Sequence, residues 1–260
     1  MTTNIERDTY YYALADRDHE SSWVHASSRH VLSFLTQSGS DMFELGCGTA
    51  TIVPYLPQAW HYTGVDISDY AIERARSNFP NSTFVRASAS RLPFADESFD
   101  AILSIHALEH FENPRAALGE VIRILRPGGR GVLIGPNLDL PLSLPNAVRH
   151  WNAPRRTWLR LQRVTDYVLR VFDILKFRTV HPNYTEETGR YELPDDDLRY
   201  LISADEVARY LGFRGMKLEQ VSSSSSGQEI PTVKRCMRII PGLKRYGEGM
   251  RIFFQKPPLQ

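Results

Sequence analysis

Between residues 42 and 135 the chain alternates short apolar runs with amphipathic stretches. "MFEL" (42–45), "YTGVD" (62–66), "TFVRA" (83–87), "FDAILSI" (99–105) and "GRGVLIG" (129–135) are short and rich in β-branched or aromatic residues, the pattern of strands. Between them, Thr49–Leu56, Ser68–Asn78 and Pro114–Leu125 read as helices. The third is the best punctuated. Asn113 can cap it, Pro114 suits a first turn where a missing N–H costs nothing, and "RPGG" (126–129) predicts a turn before the next strand. This alternation predicts a parallel sheet with helices on both faces, whose ligands bind at the carboxyl ends of the strands.

After Pro136 the rhythm breaks, and residues 137–202 contain no obvious strand–helix unit. Within them, Trp158, Leu161, Val164, Val168, Val171 and Leu175 form an apolar stripe at helical spacing over Arg156–Phe177. The opposite face is basic: Arg149–Arg178 holds eight Lys/Arg against Asp166 and Asp173. Pro182–Glu206 mirrors it, with eight acids against Arg190 and Arg199. The favoured expectation is that the two stretches neutralise each other within one lid; a membrane- or RNA-facing helix is the alternative. The alternation then resumes. "SADE" (203–206) has the form of a capping box opening a helix through Tyr210, and "FRGMKLEQV" and "GMRIFFQKP" read as closing strands. The connection between those strands holds the run Ser222–Ser226 and is expected to be flexible.

Composition narrows the class. The 260 residues are 42% hydrophobic and 23% charged with a net charge of +1. With a mean hydropathy of −0.34, this is the make-up of a globular chain with no overall pull toward nucleic acid or anionic membrane. Cys47 and Cys236 are far apart and show no metal-ligand spacing, so neither a disulfide framework nor a metal site is expected, which suits the cytoplasm. The N-terminus mixes charges early and does not read as a secretory signal, and no apolar run is long enough to span a membrane.

The candidate chemistry sits at the strand ends. Gly46 and Gly48 follow the first strand, Asp66 ends the second, Ser88 and Ala89 follow the third, and His106 follows the fourth. All converge on one edge of a parallel sheet. The glycine pair lacks the third glycine of G-x-G-x-x-G, because Thr51 stands there. On the loop alone, a phosphate cradle, a packing turn and a loop for another cofactor stay open. An acid ending the second strand is placed to accept hydrogen bonds from both hydroxyls of an adenosine ribose.

Five blocks in order, "FELGCGTA", "YTGVDIS", "ASASRLPFADESFD", "LSIHALEHFENP" and "EVIRILRPGG", carry a resemblance. The chain resembles the class I S-adenosylmethionine-dependent methyltransferases, in the type 11 group related to quinone-biosynthesis methyltransferases. The resemblance implies a Rossmann-like α/β fold: a seven-stranded sheet, mostly parallel with one antiparallel strand, helices on both faces and a helical lid insertion after strand five. It implies an N-terminal lid segment (1–40), a cofactor-binding core (41–136), a substrate-side insertion (137–202) and a C-terminal completion of the sheet (203–260). S-adenosyl-L-methionine is the implied cofactor. Gly46 and Gly48 would lie under its methionine part, with Glu44 as the acid opening the first motif. Asp66 would bind the ribose hydroxyls and Ile67 the adenine. Ser88 departs from the family's usual Asp, leaving Ala89 to offer a backbone N–H. Cys47 would be a small filler beside the cofactor, and His106 would face its sulfur.

A hydroxyl nucleophile needs a base, and His106 and His110 are the nearby candidates, with unperturbed pKa near 6.5. Glu109, between them on a helix, would point elsewhere; alignment without any base stays open. The segment "SIHALEH" lacks the motifs of relatives that methylate nucleic-acid bases, so a nucleic-acid substrate is not expected. Substrate recognition is expected from Tyr11, Tyr12, Trp23 and His25, whose rings could stack on an acceptor or simply form lid core. The leading reading is a cytoplasmic methyltransferase acting at oxygen or nitrogen of a small-molecule or glycan-type acceptor. A membrane-surface enzyme for a lipid or quinone and a catalytically silent partner subunit are the alternatives.

Overall fold

The computed structural model describes residues 12, 28–138, 144–181, 198–224 and 249–259. Its strands are β1 (Asp41–Leu45), β2 (His61–Asp66), β3 (Thr83–Arg86), β4 (Phe99–Ile105), β5 (Leu125–Pro136), β6 (Lys217–Ser224) and β7 (Gly249–Gln255). They form one sheet in the order β3-β2-β1-β4-β5-β7-β6. β1 to β5 pair in parallel, and β7 runs antiparallel to both β5 and β6. The sheet is the expected one.

Both faces are covered. Helix α1 (Ser28–Leu35) and α2 (Asp69–Asn78) lie on one, where Val31, Leu35, Ile72 and Ala75 share a core with Met42, Leu103 and Phe253. On the other, α3 (Pro114–Ile124) brings Leu118 and Val121 onto Phe43 and Ile102. α5 (Ala204–Phe213) adds Val207 and Leu211 to the same core. Helix α4 (Ala153–Val171) stands outside this pair of layers, with Leu159 in a small separate cluster with Val148, Val180 and Leu201.

Local chemistry explains the helix starts. Ser68 Oγ accepts from Ala71 N–H, Asn113 Oδ1 from Ala116 N–H, and Asn152 Oδ1 from Arg155 N–H. Ser203 caps α5 through Glu206 N–H. The Glu206 carboxylate accepts from Lys176 N–H, Phe177 N–H and the Tyr200 hydroxyl.

Four expectations are corrected. Thr49–Leu56 is not an α-helix; only Val53–Tyr55 forms a 3₁₀ turn, because Pro54 and the left-handed Ala50 (φ 62°) leave no room for a regular ladder. "RPGG" lies inside β5 as an irregularity, the register with β4 stepping from Phe99↔Leu125 to Ala101↔Arg130. Ser222, Ser223 and Ser224 are paired in β6 with Arg251, Met250 and Gly249, so three of the five serines in the run are strand. The helix expected over Arg156–Phe177 ends at Val171. Much of the acidic Pro182–Glu206 stretch lies outside the described residues.

Candidate active site

The carboxyl ends of β1, β2 and β4 meet at one edge. After β1 the chain takes two left-handed glycines, Gly46 (φ 72°) and Gly48 (φ 51°). A Cβ on Gly46 would stand 2.3 Å from that of Ala107, so the loop after β1 and the turn after β4 touch through this glycine. Gly46 and Cys47 both donate their N–H groups to Val65 O, which ties the loop to β2.

Asp66 organises the opening. Its Oδ2 accepts from Gly48 N–H at 3.0 Å, and its Oδ1 from Ser68 N–H at 3.0 Å and the Tyr12 hydroxyl at 3.2 Å. A carboxylate has about four lone-pair sites, so the pattern leaves capacity for a further donor. Tyr12 also stacks on Tyr70, with ring centroids 5.8 Å apart. The sequence placed Tyr12 with the acceptor; here it stands against Asp66 and near Gly48. Ile67 is 68% exposed beside Asp66, an apolar surface open to a planar ring. Ser88 Oγ caps its own turn through Ser90 N–H, and Ala89 packs on the core. Tyr11, Trp23 and His25 lie outside the described residues. A glycine cradle, a carboxylate with spare capacity and an exposed apolar side chain fit a nucleoside with a zwitterionic tail.

Glu44 is fully buried below the loop and takes a hydrogen bond from the Tyr62 hydroxyl. Burial, reinforced by the nearby Asp66 charge, pushes its pKa up to about 8 against the pull of the Tyr62 bond. Burial likewise pushes the Cys47 thiol up, away from the thiolate form that a nucleophile needs.

After β4, His106 adopts a left-handed backbone (φ 48°) and donates its N–H to Ile134 O. A positive φ at a residue with a Cβ is strained and often marks a site. The chain then enters the 3₁₀ turn Leu108–His110. His106 Nδ1 lies 3.3 Å from Glu109 Oε1; the histidine side chain is 36% exposed and the glutamate 0%. Neither Glu109 oxygen has a hydrogen-bond partner among the described residues, so the approach of His106 is a close electrostatic contact and not a formed hydrogen bond. The expectation that Glu109 points away from the histidines is therefore wrong. A helical projection misplaces it because the kink at His106 and the tighter turn set the direction. His110 is half-buried, as His106 is, with its Nδ1 shut from solvent.

A glycine loop after β1, an acid ending β2 and a histidine after β4 on this sheet order agree with the resemblance to class I S-adenosylmethionine-dependent methyltransferases. Residues 43–133 match the family described as "Methyltransferase domain". Among characterised proteins, it is 38% identical over 119 residues to "Phthiotriol/phenolphthiotriol dimycocerosates methyltransferase 1" of Mycobacterium ulcerans, covering 44% of this chain and 42% of that one. It is 37% identical over 116 residues to "O-methyltransferase rstn1" of Aspergillus nomiae, covering 42% and 51%. The matches thus span about half the length of these relatives or less. Among solved structures, a "S-adenosylmethionine dependent methyltransferase from Mesorhizobium loti" aligns at TM-score 0.58 and 17% identity, over 87% of this chain and 96% of that one. The "[4+2]-Cyclase SpnF" aligns at 0.57 and 16%, over 90% and 82%, so this architecture also carries other chemistry.

Proposed function

We propose that the chain transfers a methyl group from S-adenosylmethionine to a hydroxyl oxygen of a small-molecule acceptor, with His106 as the general base. The observation that carries the reading is the shared edge of Asp66, the Gly46–Gly48 loop and the His106–Glu109 pair. Bound there, the cofactor supplies a methyl group already activated on a sulfonium sulfur. The Gly46–Gly48 loop would lie under its tail, Asp66 would take the ribose hydroxyls, and Ile67 would cover the adenine.

The residues' part in the chemistry is alignment, exclusion of water and one proton transfer. A small turn of the imidazole would bring His106 Nδ1–H onto Glu109 Oε1, which lies 3.3 Å away without a formed hydrogen bond, and would leave Nε2 unprotonated. Nε2 then accepts the acceptor's hydroxyl proton as the oxygen attacks. Burial of Glu109 strengthens this orientation, because a charge-assisted hydrogen bond gains in a site of low dielectric. The mycobacterial and fungal relatives, whose names describe a methyltransferase of phthiotriol-type dimycocerosates and an O-methyltransferase, support oxygen as the acceptor atom.

The test is a labelled-methyl screen of hydroxylated acceptors, followed by His106→Ala and Glu109→Gln on the best one. We expect kcat to fall by about 10²-fold or more in His106→Ala and by about tenfold in Glu109→Gln. Cofactor affinity should hold in both. Full activity in His106→Ala would remove the base and leave catalysis by alignment. Cofactor binding without transfer to any acceptor would point to a silent subunit.

A further inference from the structure

Helix α4 wears its apolar stripe on the outside. Trp158, Leu161, Val164, Val168, Val171 and Phe172 are exposed, Trp158 by 62% and Phe172 by 71%. Arg163 and Arg170 on the opposite face are buried. Polar contacts fix this inverted orientation. Arg163 donates to Leu138 O and Arg170 to Ser203 Oγ, while Arg178, just beyond the helix, forks onto Asp166. A contiguous apolar ridge on a protein surface marks an interaction site.

We propose that α4 is a membrane-docking helix that lies in the headgroup layer of an anionic phospholipid bilayer. Nineteen residues give a rod of about 28 Å at 1.5 Å per residue. No helix among the described residues is long and apolar enough to cross a membrane, so the rod lies flat. The charges around the ridge choose lipid over a second copy of the chain. Arg155 and Lys176 are exposed near its two ends. The helix's one acid, Asp166, is drawn inward by Arg178, and Asp173 just beyond it is paired with Arg209. Two copies meeting through this ridge would oppose cation to cation, whereas lipid phosphates complement the rim.

The buried face of α4 is tied toward the site: the strap that supplies Ser203 to Arg170 gives the Arg199 and Tyr200 N–H groups to Glu109 O. The inference goes beyond methyl transfer, because attachment is read without turnover.

Flotation of the full chain with phosphatidylcholine vesicles, with and without phosphatidylglycerol, tests it. The chain should float with the anionic vesicles, and Trp158 fluorescence should shift to the blue, a shift absent in Trp158→Phe. Trp158→Glu combined with Val168→Glu should cut the floated fraction by about tenfold or more, with S-adenosylmethionine affinity unchanged by calorimetry. Wild type that stays in the aqueous layer with anionic vesicles at low salt would overturn the proposal. So would a wild-type dimer that the double substitution dissolves, since it would place a second copy on the ridge.

Discussion

Glu44, Asp66 and Glu109 lie at one end of the sheet in three different environments. Asp66 is held by backbone N–H groups, Glu109 faces an imidazole, and Glu44 is sealed under a tyrosine. The elevated Glu44 pKa has a consequence for stability. The native state favours the protonated form more than the unfolded chain does, so this contribution is complete below the ordinary carboxylate range. It is lost as pH rises from that range to about 8. Glu44→Gln should flatten this loss, gaining on the order of 3 kcal/mol over wild type at pH 8 relative to pH 5, in paired urea titrations. Equal slopes for the two proteins would contradict it. Asp66 was legible in the sequence because a strand end and its distance from the glycines define its place. Glu109 was not. Its direction depends on the left-handed turn at His106, a backbone feature that no side-chain pattern encodes.

The elements read well wherever a hydrophobic period decided them, as in β4 and α3. They read poorly wherever something else did. The stretch after Gly48 has helical composition, but Pro54 and the left-handed Ala50 override it. In α4 the stripe was visible, yet periodicity alone does not say which side faces the protein; the hydrogen bonds of Arg163 and Arg170 settle that. Two glycine substitutions probe the elements. Gly46→Ala strains a φ of 72° and collides with Ala107, so it should cost about 1–3 kcal/mol in urea unfolding and weaken cofactor binding. Gly131→Ala would place a Cβ 2.1 Å from the Phe254 ring, between β5 and β7. It should cost a similar amount, about 1–3 kcal/mol, while leaving cofactor affinity intact in whatever protein remains folded. A neutral Gly131→Ala would contradict the packing described between β5 and β7.

At the scale of the whole molecule, the last described residues close the fold. Lys256 exchanges backbone hydrogen bonds with Gly128 and Gly129, and its Nζ donates to Ile122 O and Leu125 O at the end of α3. A cation at a helix C-terminus meets the carbonyls left without partners. Lys256→Met should lower stability by about 1–2 kcal/mol without changing cofactor binding, as thermal unfolding will show. The parallel core was readable from the strand–helix alternation and the antiparallel edge from the family resemblance, but the seating of 153–171 was not, because Arg163 and Arg170 anchor it through long-range polar contacts.

The central claim is that this sheet edge binds S-adenosylmethionine through Asp66, and isothermal calorimetry of the full chain tests it most directly. The account predicts one saturable site in wild type and a loss of affinity of about 10-fold or more in folded Asp66→Ala. No binding heat in wild type, or unchanged affinity in Asp66→Ala, would contradict it.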